Sequence, residues 1–292
     1  YPALVRPLQG SPNPCDTIVP RPERVDSPLS ERRRSRRIRT TLSRAGIPRW
    51  HPRSILVIVF SGQVILLDVE GTTSSIDFVH DILFGYAKEH VAAFLQEHSH
   101  DPKVYEIAQT LAQETGLDAD IRSSSGCTQV VLATIDLMNK DVKSTPLKAL
   151  QGIIWKTGFQ SGQLVAHVFD DVPPSLASWA TSGIDIRIYS SGSIEAQKLF
   201  FGHTAAGDLT QHLRGHYDTT TGPKREQESY SKIANDIGVK PEHILFLSDI
   251  GAELDAARAS GMNTGATIRP GNQPFESHYD HEQINSFTDV TF

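Results

Sequence analysis

Four short apolar runs, each ending in polar residues, set the rhythm of the chain from Val64 onward. Val64-Ile65-Leu66-Leu67 runs into Asp68 and then Gly71, and Ile184–Tyr189 runs into Ser190. Ile244–Leu247 runs into Ser248 and Asp249, and Ala266–Ile268 is a weaker fourth. Runs this short and this continuously apolar predict strands covered on both faces. Helical stretches are predicted over 174–182, 193–201, 226–237 and 251–260. Three of them meet a glycine just before the next strand, at Gly183, Gly238 and Gly261, where a helix can end in the left-handed conformation. Strand, helix and glycine alternating in this way predict βαβ units and a parallel sheet.

Residues 76–165 follow a different period. Phe78, Ile82, Leu83, Tyr86, Val91, Phe94 and Leu95 recur at three- and four-residue intervals. Ile107, Leu111, Val131 and Ile135, then Leu147, Leu150 and Ile154, do the same. That is helical spacing without a clear strand. The expected fold class is therefore α/β. A Rossmann-like parallel-sheet core takes 55–75 and 166–292, and a helical cap is inserted over 76–165.

Charge separates the first 54 residues from the rest. They hold twelve arginines against four acids, a net +8, and nine of the 17 prolines, whereas the remainder carries −14. A segment so rich in Arg and Pro cannot bury enough apolar surface to offset its ordering entropy, so 1–54 is expected to be a disordered extension. Its Arg32–Arg39 cluster reads as a nuclear signal, a nucleic-acid patch, part of a transit peptide, or a solvated run with no function. The acidic body argues against nucleic acid as the main partner. Two cysteines, Cys15 and Cys127, exclude a disulfide framework. The longest apolar candidate for a membrane span, Ile55–Phe60, is six residues and far too short.

Ligands of open parallel sheets bind beyond the carboxyl ends of the strands, so the residues found there carry the chemistry. The first strand delivers Asp68 and Glu70 ahead of Gly71-Thr72-Thr73, two carboxylates suited to a hard cation such as Mg²⁺. The second delivers Ser190-Ser191-Gly192-Ser193, whose hydroxyls and amides can hold a phosphate at a helix start. The third delivers Asp249, with Glu253 four residues on and hence expected on the same helical face. Lys224 sits in a Gly-Pro loop, where one ammonium can neutralise phosphate charge. Taken singly, these residues read equally as turn formers, helix caps or surface charge. Their order, each at the end of an apolar run, gives the set its meaning. His278 and His281, with Asp280, lack a third spaced ligand and read as a poor metal site. His203 and His216 read as structural.

The ordered set D-x-E-G-T-T, S-S-G-S, Lys and L-F-L-S-D-x-x-x-E resembles the haloacid dehalogenase superfamily of phosphatases. V-I-L-L-D-V-E-G-T-T-S-S-I-x-F-V and Y-S-S-G-S-I-E-A-Q-K-L-F-F-G-H resemble the acireductone synthase family within it, over about Val64 to Phe292. The resemblance implies a sheet core of the haloacid dehalogenase type under a cap. It implies Asp68 as the phosphoryl-accepting nucleophile, and Glu70 as acid/base where most of the superfamily carries Asp. It implies one Mg²⁺ per subunit held by Asp68, Asp249 and the backbone carbonyl of Glu70. Ser190, Ser191 and Lys224 match the substrate contacts, and Lys224→Ala is expected to leave the fold intact. The implied substrate is a phosphorylated diketone, enolised and then dephosphorylated in methionine salvage, in a cytoplasmic monomer with no nucleic-acid or membrane partner; the Arg cluster leaves the nucleus open. Phe78, Phe84 and Trp155 are candidates to read the methylthio group, with a core role favoured for each. Another phosphatase substrate, or a silent binding protein on the same fold, stands as an alternative.

Overall fold

The computed structural model describes residues 57–140, 142 and 144–292. The expectations for residues 1–54, including the Arg cluster, lie outside these residues.

Six parallel strands form the main sheet. In chain order they are β2 (Val64–Leu67), β3 (Asp185–Tyr189), β4 (Gly215–Tyr217), β5 (Ile244–Ser248), β6 (Asn263–Thr267) and β7 (Glu282–Ile284). Across the sheet the order is β4-β3-β2-β5-β6-β7. A two-stranded parallel pair, β1 (Ile58–Val59) with β8 (Val290–Thr291), lies apart from it. The chain builds outward from β2 through β3 to β4, then crosses to the other side of β2 for β5. The boundary between β2 and β5 is thus the topological switch point, where such sheets open a ligand crevice.

The side chains of β2 alternate between two cores, which explains its unbroken apolar run. Ile65 and Leu67 join one cluster with Ile186, Ile188, Leu245 and Leu247, covered by α5 (Val172–Thr181) and α6 (Ile194–Gly202). Val64 and Leu66 join another with Ile244 and Phe246, covered by α7 (Gln227–Ile237) and α8 (Gly251–Ala259). All four residues of β2 are buried. Register places the functional edge: Leu67 pairs with Ile188 on one side and Leu247 on the other. Asp68, one residue past β2, therefore stands beside Tyr189 and Ser248, the last residues of β3 and β5.

Residues between β2 and α5 form a π-helical turn (Phe78–Leu83) and four helices, α1 (Phe84–Glu97), α2 (Pro102–Glu114), α3 (Ser124–Asn139) and α4 (Thr145–Gln160). Their starts follow from local sequence. Asp101, Ser123 and Ser144 each accept a first-turn amide, and Pro102 and Pro146 occupy positions where no donor is lost. The helices enclose their own core around Val91, Leu95, Leu111, Val130 and Leu150, which holds Cys127. Trp155 and Tyr86 pack against both this core and the sheet's.

The structure corrects several sequence expectations. β6 starts three residues earlier than the apolar run, since Asn263 and Thr264 pair in the ladder despite their polarity. β4 and β7 were not predicted, because Gly-His-Tyr and Glu-Gln-Ile carry no apolar run. Asp249 precedes α8 rather than sharing a helical face with Glu253, because the helix begins only at Gly251. Gly183, Gly238 and Gly261 do take positive φ, at 84°, 79° and 96°.

Candidate active site

At the carboxyl edge of β2 and β5, Asp68, Lys224, Ser248 and Glu253 form one buried polar cluster. Lys224 Nζ lies 2.6 Å from Asp68 Oδ1 and 2.6 Å from Glu253 Oε2. Ser248 Oγ is 3.3 Å from Asp68 Oδ2 and 3.2 Å from Glu253 Oε2, with one proton to donate to either. The Val69 amide donates to Asp68 Oδ1 at 2.7 Å. The Gly-Pro loop reaches in because three side chains tie it down. The hydroxyls of Tyr189, Tyr230 and Ser229 donate to the carbonyls of Gly222, Lys224 and Pro223 at 2.9, 2.7 and 2.7 Å.

Two carboxylates on one ammonium, with Asp249 near them, leave excess negative charge with little water, and the proton affinities respond. Burial, reinforced by Asp68, pushes Glu253 up to about 7. Burial and then Asp68 push Asp249 up to about 8. Burial alone would lower Lys224, but the adjacent Asp68 and Glu253 outweigh it and raise it, so Lys224 stays charged.

Asp249 is held differently. Its Oδ2 accepts from Asn272 Nδ2 at 3.2 Å, and its Oδ1 is buried with no partner among the described residues. The carboxylate lies so close to Gly71 that a Cβ there would stand 2.3 Å from Oδ2. Gly71 also takes φ +71°, so both space and backbone require glycine in the turn after Asp68.

Glu70 turns away from the cluster toward His80, with Oε1 and Nε2 2.9 Å apart. Burial raises its proton affinity, opposed by His80. Among the described residues no three His, Cys, Asp or Glu side chains converge as a metal-binding group. A cation at the β2–β5 edge would therefore rest on two carboxylates and backbone oxygen, a donor set that Mg²⁺ accepts because it retains waters. The buried, unpartnered Asp249 Oδ1 and the hard oxygen donors of this set fit such an ion.

Beside the cluster lies a cavity of about 350 Å³ between the sheet edge and the helical insert. Glu70, His80, Ser190 and Ser191 line its polar end, and Leu83, Phe84, Trp155 and Phe159 its apolar walls. Asp68, Lys224 and Asp249 are not among its lining residues, though Val69 and Glu70, which follow Asp68, are. Ser190 Oγ accepts from the Gly192 amide at 3.3 Å, keeping the serine turn tight before α6. Of the three aromatic candidates, Phe84 and Trp155 reach the cavity, ring centroids 5.7 Å apart, whereas Phe78 stays in the core. His203 and His216 bond within the fold, to the Leu199 carbonyl and to Gln197. His281 is buried, with Nε2 3.1 Å from Asp255 Oδ1.

The haloacid dehalogenase-like hydrolase profile matches residues 63–261. The chain is 44% identical over 237 residues to "Enolase-phosphatase E1" of Drosophila persimilis, covering 78% of this chain and 94% of the relative. It is 45% identical over 229 residues to the protein of the same name from Serratia proteamaculans (strain 568), covering 78% and 96%. The chain belongs to the enolase-phosphatase E1 family of haloacid dehalogenase-like hydrolases. Among solved structures it is similar to the UTR4 protein of Saccharomyces cerevisiae, with TM-score 0.66 and 36% identity over 77% of this chain and 98% of that one. Membership accords with the parallel sheet and with the motifs that carried the resemblance.

Ser248, Asn272 and Arg269 were missed by sequence reasoning. Ser248 is one residue from Asp249 and could have been found as the last position of its strand. Arg269 and Asn272 contact a turn about two hundred residues away and give no local signal.

Proposed function

We propose that this protein is a Mg²⁺-dependent enolase-phosphatase. It converts 2,3-diketo-5-methylthiopentyl-1-phosphate to acireductone and phosphate in methionine salvage. The observation that carries the reading is the pairing of a buried Asp68–Lys224 centre with an adjoining cavity that is polar at the serine turn and apolar under the insert. A phosphate at one end and a methylthio chain at the other match that polarity. Relatives that share 44% of the sequence and bear the enolase-phosphatase name support it.

In this reading Asp68 attacks phosphorus in line and becomes an aspartyl-phosphate, which water then hydrolyses. Glu70 is the acid/base group that protonates the departing oxygen and then deprotonates the water. Lys224, Ser190 and Ser191 hold the phosphoryl oxygens by charge and hydrogen bonds. Residues 76–165 act as the cap, excluding water with Phe84 and Trp155 against the methylthio end. Asp68, Asp249 and the Glu70 carbonyl would hold Mg²⁺, which when bound neutralises phosphoryl charge and polarises the diketone.

Incubation with the diketone phosphate tests this directly. Enol absorbance should rise first, phosphate should follow, and chelation should abolish release. Phosphate release with no enol at any time would make the protein a phosphatase of another substrate.

The carboxylates also give stability a pH dependence. Asp249 at about 8, against an ordinary 3.8, binds its proton more tightly folded than unfolded. Its stabilising contribution is complete below the unfolded value and is lost as pH rises toward 8. Glu253, at about 7 against 4.5, acts in the same direction. With chelator present, the melting temperature should therefore fall between about pH 4 and pH 8. Saturating Mg²⁺ should flatten that fall, because a bound ion favours the ionised carboxylates. A fall of the same size with and without Mg²⁺ would count against cation binding at Asp249.

A further inference from the structure

After β6 the chain runs Arg269-Pro270-Gly271-Asn272 and grips the turn that follows β2. Arg269 Nε donates to the Thr72 carbonyl at 3.0 Å, and Asn272 Nδ2 to the Gly71 carbonyl at 2.8 Å. Two residues of one loop thus hold two consecutive carbonyls of the turn carrying Glu70. The loop itself is firmly placed. Arg269 Nη1 bonds both oxygens of Asp171 at 2.8 and 3.0 Å, and its guanidinium lies between the rings of Phe169 and Phe287.

The same Asn272 amide reaches Asp249 Oδ2 at 3.2 Å. An aspartate's terminal torsion is broad, so position alone does not decide which oxygen faces where. Here Oδ2 is tied to Asn272 against the bare Cα of Gly71, and Oδ1 is left buried and unpartnered.

We propose that Asn272 is a positioning residue of the cation site, fixing the Asp249 carboxylate so that Oδ1 is the free ligating atom. In this assignment it acts through Asp249, to which its Nδ2 donates, although its own Oδ1 is also buried without a partner among the described residues. The inference rests on the Mg²⁺ reading above and goes beyond it by naming the group that sets the ligand's orientation. Groups that orient a metal ligand typically contribute about 10–100-fold in metal affinity.

The test is Mn²⁺ binding to the full chain, followed by electron paramagnetic resonance, which needs no turnover. Asn272→Ala should bind Mn²⁺ roughly 10–100-fold more weakly. The Mg²⁺ concentration for half-maximal activity should rise by a similar factor, while KM for the phosphate substrate at saturating Mg²⁺ stays near wild type. Asn272→Ser keeps one donor proton for two acceptors and should fall between, which preserves the test if the alanine variant folds poorly. Gln273→Ala, an exposed neighbour, should bind like wild type. Folded Asn272 variants with wild-type Mn²⁺ affinity would overturn the assignment. So would an equal loss in Gln273→Ala, which would mean general disturbance of the loop. A wild-type protein that binds no Mn²⁺ or Mg²⁺ would refute the cation reading itself and this inference with it.

Discussion

Asp68→Asn should abolish phosphate release while enolisation continues at a reduced rate, so that the phosphorylated enol accumulates. The asparagine keeps nearly the same volume and one oxygen at the edge of β2, and Lys224 Nζ, now 2.6 Å from Asp68 Oδ1, keeps an acceptor. What it loses is the proposed anionic nucleophile, and no other carboxylate of this edge among the described residues is free to replace it. Glu253 is held by Lys224 and Ser248, Glu70 by His80, and Asp249 by Asn272. Removing a nucleophile costs on the order of 10⁴-fold or more in turnover. A weakened ligand is a smaller effect, offset by raising Mg²⁺ through mass action. Enolisation needs no bond to Asp68, only a bound substrate whose carbon-bound proton is acidified. Mass spectrometry of the product mixture and proton–deuterium exchange into the substrate, at several Mg²⁺ concentrations, separate the two steps. Phosphate release near the wild-type rate would remove Asp68 from the nucleophile role. A folded variant that binds substrate yet makes no enol at any Mg²⁺ level would show that both steps need the Asp68 carboxylate.

What could be read from sequence followed the range of the interactions involved. β2 and β5 were legible because a strand buried on both faces is apolar along its length, and β3 because Ile186, Ile188 and Tyr189 are buried while Asp185 and Arg187 are half-buried; Asp68, Ser190 and Asp249 stood out as the polar residues that follow them. The helical character of 76–165 was legible because its helices bury one face each at helical spacing. β4 failed this reading because Tyr217 is the one buried residue of its three. Glu253 was noticed for the wrong neighbour. Spacing suggested Asp249, but Ile250 stands between strand and helix, and Glu253 turns to Lys224, which arrives from a loop ahead of α7. Asn272 and Arg269 were out of reach altogether. Their partners Gly71 and Thr72 lie 201 and 197 positions away, and only the closed sheet brings them together. His80 shows the same limit at short range, since pairing it with Glu70 requires the π-helical turn, which periodicity does not reveal.

Lys224→Ala should destabilise the protein as well as slow it, against the expectation from sequence that the fold would be untouched. The side chain is only 10% exposed and stands between Asp68 and Glu253 at 2.6 Å from each. Deleting one member of such a buried group leaves uncompensated charge, which typically costs about 3–5 kcal/mol. For a chain this size that is a melting-temperature loss of roughly 6–20 °C. The loss should depend on pH in a definite direction. Glu253 already titrates near 7 with the ammonium present. Without it, the folded-state value rises further, so a proton takes the place of the lysine at low pH. The deficit should be small near pH 5 and grow toward pH 9. Turnover should fall roughly ten- to 150-fold where the variant is folded, from loss of the proposed phosphate contact. Adding Glu253→Gln separates the two roles, since a neutral amide removes the repulsion with Asp68 but cannot supply positive charge to a phosphate. The double variant should regain most of the lost melting temperature at pH 8 and none of the turnover. Melting curves in chelator across pH 5–9, with kinetics at saturating Mg²⁺, make the measurement. A deficit that is constant across pH would mean that carboxylate repulsion is not its cause. Recovered turnover in the double variant would mean that Lys224 serves the fold and not the phosphate.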